Sequence, residues 1–236
     1  MFNLIAFILL LIPANAAVLK CPECRAKKEV VQIMSGNTFG ATVWSDTKMD
    51  APMLPRASYI QKCENCGAYY FMTDKVRIKD AKAPSNNKGE LPLEHLKEAL
   101  YQLQPSGQDE YILRLYILWA FNDRYGGVNL CNIPDYEWEY HVDNVQRLLT
   151  MDLDTLFRAE LHREICEYDR CIQLLEANEN TDAYLDLILN AARNQNRQVI
   201  RLTGNRKREP ICLANGEDCC YPMIFDGEDG YLCIQQ

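Results

Sequence analysis

No apolar run in this chain approaches membrane-spanning length. The longest, Leu4–Ile12, covers nine residues, against the roughly 20 that a transmembrane helix needs. Positive charge is also in deficit. Twenty-five Lys and Arg face 33 Asp and Glu, a net of −8, which argues against a protein that works mainly by coating nucleic acid. Histidine is scarce, with three in 236 residues. His95, His141 and His162 are scattered with no H-x-x-x-H pair, so each reads as a helix-surface or core residue rather than a metal ligand. Nucleophile-elbow, phosphate-loop, dinucleotide and zinc-protease motifs are missing too, and the reading is therefore not an enzyme. With 48% apolar and 25% charged residues, the chain is not wholly disordered and can build one large or two small cores.

What it has in abundance is cysteine. Eleven cysteines are an odd number, so disulfides within the chain cannot pair them all. The N-terminus adds a question of compartment. Leu4–Ile12 fits the hydrophobic region of a secretory signal, Pro13 breaks it, and Ala14-Asn15-Ala16 supplies small residues for cleavage. Against this, no Lys or Arg precedes the run. The expectation is a signal peptide over residues 1–16 and an exported protein, with a cytoplasmic protein and a misplaced start as the alternative. N-terminal sequencing separates them.

Charge and periodicity both change near residue 83. Residues 17–83 carry a net of +4 and residues 84–236 a net of −12. Short β-type runs precede the change: Glu29–Met34, Ala41–Trp44, Tyr59–Lys62 and Ala68–Met72, broken by Gly and Pro. Residues 84–90 read as a linker. Beyond it the period turns helical, with helices expected over Leu91–Gln104, Asp109–Tyr125, Tyr136–Thr150, Leu153–Cys166, Tyr168–Ala177 and Asp182–Asn194, the last with Asp182 at its N-cap. The apolar stripe of the second is read as Ile112, Leu115, Tyr116, Trp119 and Ala120. The fold class is α+β: a small β module over 17–83, a helical domain over 91–204, and a cysteine-containing tail over 205–236.

The strongest chemical signal is Cys21-Pro22-Glu23-Cys24 together with Cys63-Glu64-Asn65-Cys66-Gly67. Two such turns can aim four sulfurs at one point, a thiolate cage that suits Zn²⁺. Gly67 fits a position that needs positive φ, whereas Arg25 stands where the first turn prefers glycine. The 38 residues between the pairs exceed the usual spacing of about 15–20, so an extra loop is needed. Two disulfides or a redox-active C-x-x-C are the competing chemistries, although no βαβ pattern supports the latter. Residues 19–75 resemble a zinc ribbon. The resemblance implies a structural, closed site with Cys21, Cys24, Cys63 and Cys66 as ligands. The combination with helical repeats is similar to that of uncharacterised bacterial proteins. The intervening loop offers two readings: a recognition loop anchored by Trp44, or Phe39 and Trp44 plugging the ribbon core.

Residues 152–185 resemble one tetratricopeptide unit, with Ala159 at the small position of its first helix, Cys166 at the turn position usual for glycine, and Cys171 in place of an alanine. The resemblance implies stacked helical hairpins that bind a protein or peptide, with Thr155, Arg158 and His162 as contact candidates. The −12 charge favours a basic partner and makes nucleic acid an unlikely one. Asp135, Glu137, Glu139 and Asp143, interleaved with Tyr136, Trp138 and Tyr140, read as a solvated helix face or as an acidic aromatic surface. Arg201, Arg206, Lys207 and Arg208 read as an exposed basic loop. Cys131, Cys166 and Cys171 read as small buried residues. Cys212, Cys219, Cys220 and Cys233 fall in a turn-rich stretch that reads as a closing β-hairpin. The overall expectation is a non-enzymatic scaffold with a structural zinc, against a redox-active thiol protein or redox-sensing zinc switch.

Overall fold

The computed structural model describes residues 16–31, 37–52, 59–72, 77–81, 91–178, 183–203, 211–212, 218–225 and 228–235. Residues 1–15 of the expected signal peptide (1–16), the expected linker 84–90, the expected Asp182 cap and the basic residues 206–208 lie outside these. The architecture is α+β. Among the described residues, antiparallel strands precede six helices, and strands follow them. The chain divides into two compact units, residues 1–37 with 53–91, and residues 38–52 with 92–236.

The first unit holds β1 (Ala16–Lys20), β2 (Lys27–Val31) and three strands that come later in the chain. β1 is the central strand of a three-stranded sheet, antiparallel to β2 from Ala16↔Val31 to Lys20↔Lys27. The small core of this unit joins Leu19, Cys21, Cys63 and Tyr70. Leu19 is fully excluded from solvent, and a core as small as the described residues form buries little apolar surface to offset chain entropy without a further constraint.

Residues 38–52 depart from the sequence-based division. They carry β3 (Thr42–Trp44) and β4 (Met49–Asp50), and they belong to the helical unit. The remaining strands of the first unit are β5 (Ile60–Lys62), β6 (Tyr69–Phe71) and β7 (Arg77–Ala81). β5 and β6 form a hairpin, and β7 pairs with the other edge of β1.

The helices are α1 (Leu93–Leu103), α2 (Gln108–Tyr125), α3 (Asp135–Leu149), α4 (Thr155–Glu164), α5 (Tyr168–Glu176) and α6 (Ala183–Arg193). Each lies within two residues of its expected bounds. The buried face of α2 differs from the expected stripe. Leu113, Ile117, Leu118 and Phe121 are buried, while Ile112, Leu115, Tyr116, Trp119 and Ala120 are half-buried. The helix is apolar on several sides and is packed by α1, α3 and the β3–β4 turn, so no single stripe stands out. Asp154 caps α4 through the Phe157 N–H at 2.9 Å. Two cores follow: Leu118, Val145, Leu148, Phe157, Leu161 and Ile165 in one, and Ala159, Cys171, Leu175, Ile188 and Ala192 with their neighbours in the other. β8 (Arg201–Thr203) pairs with β3. The tail is a three-stranded antiparallel sheet of β9 (Ile211–Cys212), β10 (Asp218–Phe225) and β11 (Glu228–Gln235), with β10 central.

Candidate metal centre

Two backbone turns of the same design hold the four ribbon cysteines. In the first, Arg25 N–H donates to Cys21 O at 3.0 Å and Cys21 N–H to Ala26 O at 2.8 Å. In the second, Gly67 N–H donates to Cys63 O and Cys63 N–H to Ala68 O, both at 2.8 Å. Each turn needs a left-handed residue after its second cysteine. Gly67 sits at φ 76° as expected, and Arg25 is forced to φ 62° without glycine's freedom.

The turns bring all four sulfurs within 4.8 Å of one another. Cys21 Sγ lies 3.7 Å from Cys66 Sγ, and Cys24 Sγ 3.5 Å from Cys63 Sγ. A tetrahedral ion with metal–sulfur bonds of about 2.3 Å would space its sulfurs by about 3.8 Å. The donor set therefore fits a metal ion. Cys21 and Cys63 are buried, Cys24 is half-buried and Cys66 exposed.

The electrostatics point the same way. The Ala26 N–H beside its sulfur, helped by Asn65, draws the Cys24 thiol down to about 6. At Cys66 the Ala68 N–H pulls down, but the Cys24 thiol, burial, and the thiols of Cys63 and Cys21 together outweigh it and push the group up to about 12. One thiolate forms readily and the next is resisted, because charge accumulates in one place. A dication removes that resistance. Burial, followed by the same cysteines, raises the Tyr70 hydroxyl to about 12. Of the two readings of the intervening loop, the one in which Phe39 and Trp44 plug the ribbon core does not hold, because residues 38–52 belong to the helical unit. Trp44 pairs through β3 with Arg201 of β8, and its indole N–H donates to Asp50 Oδ2 at 3.0 Å. Phe39 is 81% exposed rather than in a core.

The tight turn Trp44-Ser45-Asp46-Thr47-Lys48 is keyed instead into α2 and α4. Ser45 Oγ donates to Glu160 and accepts from Ile200 N–H at 2.8 Å. Trp119 Nε1 donates to Asp46 O at 2.9 Å, Asn122 Nδ2 donates to Asp46 Oδ2 at 3.0 Å, and Lys48 pairs with Asp123. Below the turn, Arg163 and Glu160 form a fully buried pair, with Arg163 Nε 2.8 Å from Glu160 Oε2. Glu164 accepts from Asn122 Nδ2 at 2.9 Å, and its other oxygen is buried with no partner. Burial, then Glu160 and Asp46, pushes the Glu164 carboxyl well up, and burial raises Asp46 to about 6. Sequence periodicity gave no sign of this polar network, because its members lie up to 155 residues apart.

The other candidates scatter. His141 is a core residue stacked on Phe121 at 3.8 Å, and both its ring nitrogens are buried without partners. His95 pairs with Glu98 and His162 with Glu167. Arg158 donates to the carbonyls of Leu149 and Met151, closing the end of α3, so its guanidinium serves the fold. Thr155 is exposed. Cys171 is buried as expected, Cys166 is half-buried, and Cys131 is exposed on a 3-10 turn at Leu130–Asn132, where its sulfur donates to Asn129 Oδ1 at 3.1 Å. Asp135, Glu139 and Asp143 recur along one exposed stripe of α3 beside Tyr136, 69% exposed, while Glu137 is buried against Lys97. Compared with protein-family models, curated proteins and solved structures, the chain matches none of them.

Proposed function

We propose that this is a non-enzymatic protein-binding scaffold whose small β unit is held by a structural zinc. The observation that carries the reading is the convergence of Cys21, Cys24, Cys63 and Cys66 from two matching turns. Four thiolates fill all the positions of tetrahedral zinc and leave none open to a substrate. Zinc is the ion that a sulfur cage of this size favours. Elemental analysis of reduced, folded protein should give about one zinc per chain, and metal-free folded protein would refute the centre.

The partner is a basic protein or peptide bound by the helical unit. Support comes from the −12 charge of residues 84–236 and from the acidic stripe Asp135, Glu139 and Asp143 beside exposed Tyr136. The hairpin of α4 and α5, with Ala159 and Cys171 packed at its centre and Cys166 at φ 65° in its turn, is of the tetratricopeptide-like kind. The test uses the full chain. Reversing Asp135, Glu139 and Asp143 to Lys should abolish capture of the native partner and its acceleration at low salt. Retained capture would place binding elsewhere. Export with cleavage after Ala16 belongs to the same reading, and the intact mass of the native protein checks it.

One observation favours a second reading, a redox-sensing zinc switch: Cys24, drawn down to about 6, and Cys66 both reach the surface. Zinc released by mild oxidant and recovered on reduction would support it. Retention of metal with unreactive thiols fits the structural site.

A further inference from the structure

We propose that Glu164 is a proton-controlled latch for the β3–β4 turn: the turn stays docked on α2 and α4 while the carboxyl holds its proton, and opens as the proton is lost. The inference concerns the helical unit alone and stands apart from the function proposed above. Three acids meet beneath the turn: Asp46 from the turn itself, and Glu160 and Glu164 one helical turn apart on α4. Each is at most 1% exposed, so water screens none of them. The guanidinium of Arg163 is buried among them, 0% exposed.

The hydrogen bonds decide which acid is left uncompensated. Arg163 donates to Glu160 from Nε at 2.8 Å and from Nη2. Its Nη1 donates to Asn196 O and, at 2.8 Å, to Gln198 O, so every nitrogen of the guanidinium is directed elsewhere than Glu164. Asp46 accepts from the Lys48 N–H at 3.1 Å and from Asn122 Nδ2 at 3.0 Å. Glu164 receives the same Asn122 amide on Oε2 at 2.9 Å, and its Oε1 is buried with no partner. Ionised, Glu164 would carry a bare charged oxygen in a dry interior; neutral, it bears the smaller cost of one unpaired hydroxyl. Once it ionises, a single neutral amide stands between a negative charge on the helix and another on the turn. Opening the turn separates the two charges and admits water to both.

The other charged and titratable groups nearby do not replace the missing partner. Burial, then Glu160 and Asp46, raises the Glu164 carboxyl, and Asn122 and Arg163 offset only part of that. Arg197, beyond α6, lies close enough to interact with Glu164, but it donates to the carbonyls of Tyr125 and Val128. Cys166 and Tyr168, where α4 passes into α5, face that same arginine. Cys171 of α5 faces Glu160 and Arg163. Lys48 is turned towards Asp123 and Asp50. On opening, the proton passes from Glu164 to solvent.

The test is hydrogen exchange of the full chain from pH 6.5 to 8, corrected for the intrinsic pH dependence of exchange. Two protons report on the turn: the Ser45 amide, bonded to Ile200 O at 2.8 Å, and the Trp119 indole N–H, bonded to Asp46 O at 2.9 Å. Asp46, raised to about 6, has largely given up its proton below this range. One proton is then released per opening, so protection at both reporters should fall by about tenfold per pH unit. Ser45 should also exchange faster than Val145 of α3 at every pH. In Glu164→Gln, which keeps an acceptor for Asn122, the fall should disappear. If that variant does not fold, Asp46→Asn removes the opposing charge from the turn and should make the fall smaller. Protection independent of pH in the parent, an unchanged slope in either variant, or Ser45 protection equal to that of Val145 would each overturn the latch.

Discussion

Arg25 and Gly67 occupy equivalent places in the two metal turns, at φ 62° and 76°, and the comparison isolates the cost of a side chain there. A non-glycine residue in left-handed backbone is strained by about 1–2 kcal/mol. Arg25→Gly should therefore stabilise the small unit by about 1 kcal/mol, after allowance for glycine's greater freedom when unfolded. The readout is a stronger resistance to metal chelators, and an unchanged or weaker resistance would contradict it. Cys166 bears the same strain at φ 65°. His141 makes a second prediction at this scale. Burial, with Arg197 and Lys97 adding to it, lowers its pKa to about 3, against about 6.5 for an unfolded histidine. Between those values the unfolded chain binds more protons, so this contribution to stability is complete above pH 6.5 and is lost as pH falls towards 3. His141→Leu removes that loss. In urea titrations at pH 7.5 and 5, the variant should lose less stability on acidification than the parent.

The β3–β4 turn illustrates how an element can be short and still be firmly placed. β4 has two residues, too few for a stable hairpin alone. Its position depends on α2 and α4, through Trp119, Asn122, Asp123 and Glu160. Arg163→Met leaves the buried Glu160 carboxylate without its guanidinium partner, and the expected cost is about 3–5 kcal/mol, measured as a lower unfolding midpoint of the helical unit. Glu164 behaves in the opposite sense. Its carboxyl is raised well above the ordinary range, so the folded state holds the proton more tightly than the unfolded chain. Stability from this group is fully present below the unfolded pKa of about 4.3 and declines as pH rises through the folded one. Glu164→Gln keeps an acceptor for Asn122 and removes the titration. Its stability relative to the parent should increase from pH 5 to pH 8, and a constant difference would contradict the reading.

At the scale of the whole chain, two compact units are threaded through one another in sequence. The stretch between the cysteine pairs leaves the first unit and returns to it. On the proposed metal site, chelation or Cys63→Ser should unfold the small unit, because its described core is only a few residues and ion binding would supply its folding energy. The helical unit has cores of its own and should remain folded. Hydrogen exchange makes the test specific. On chelation the amides of residues 60–71 should lose protection, whereas that of Ser45, bonded to Ile200 O at 2.8 Å, should keep it. Joint loss across residues 16–81 would mean that the inserted stretch depends on the ribbon after all.

The helices, the strands β2, β3, β5 and β6 and the two C-x-x-C turns were legible in the sequence, because each depends on residues near in number, whereas β1, β4, β7 and β8 were not. Helical periodicity, the need for positive φ after the second cysteine, and the reach of two sulfurs from one turn are local physics. The tail cysteines read as a hairpin for the same reason, through their turn residues. Tertiary structure alone decided the rest. It set which face of α2 is buried, since an apolar helix packed on several sides has no unique stripe. Partners 73 to 155 residues away placed residues 38–52 with the helices, and that assignment rests on hydrogen bonds to buried carboxylates that no periodicity encodes. Convergence of the two cysteine turns on one point required the fold as well. The local sequence aims each pair of sulfurs, but only the packing of Leu19, Cys21, Cys63 and Tyr70 brings the pairs together.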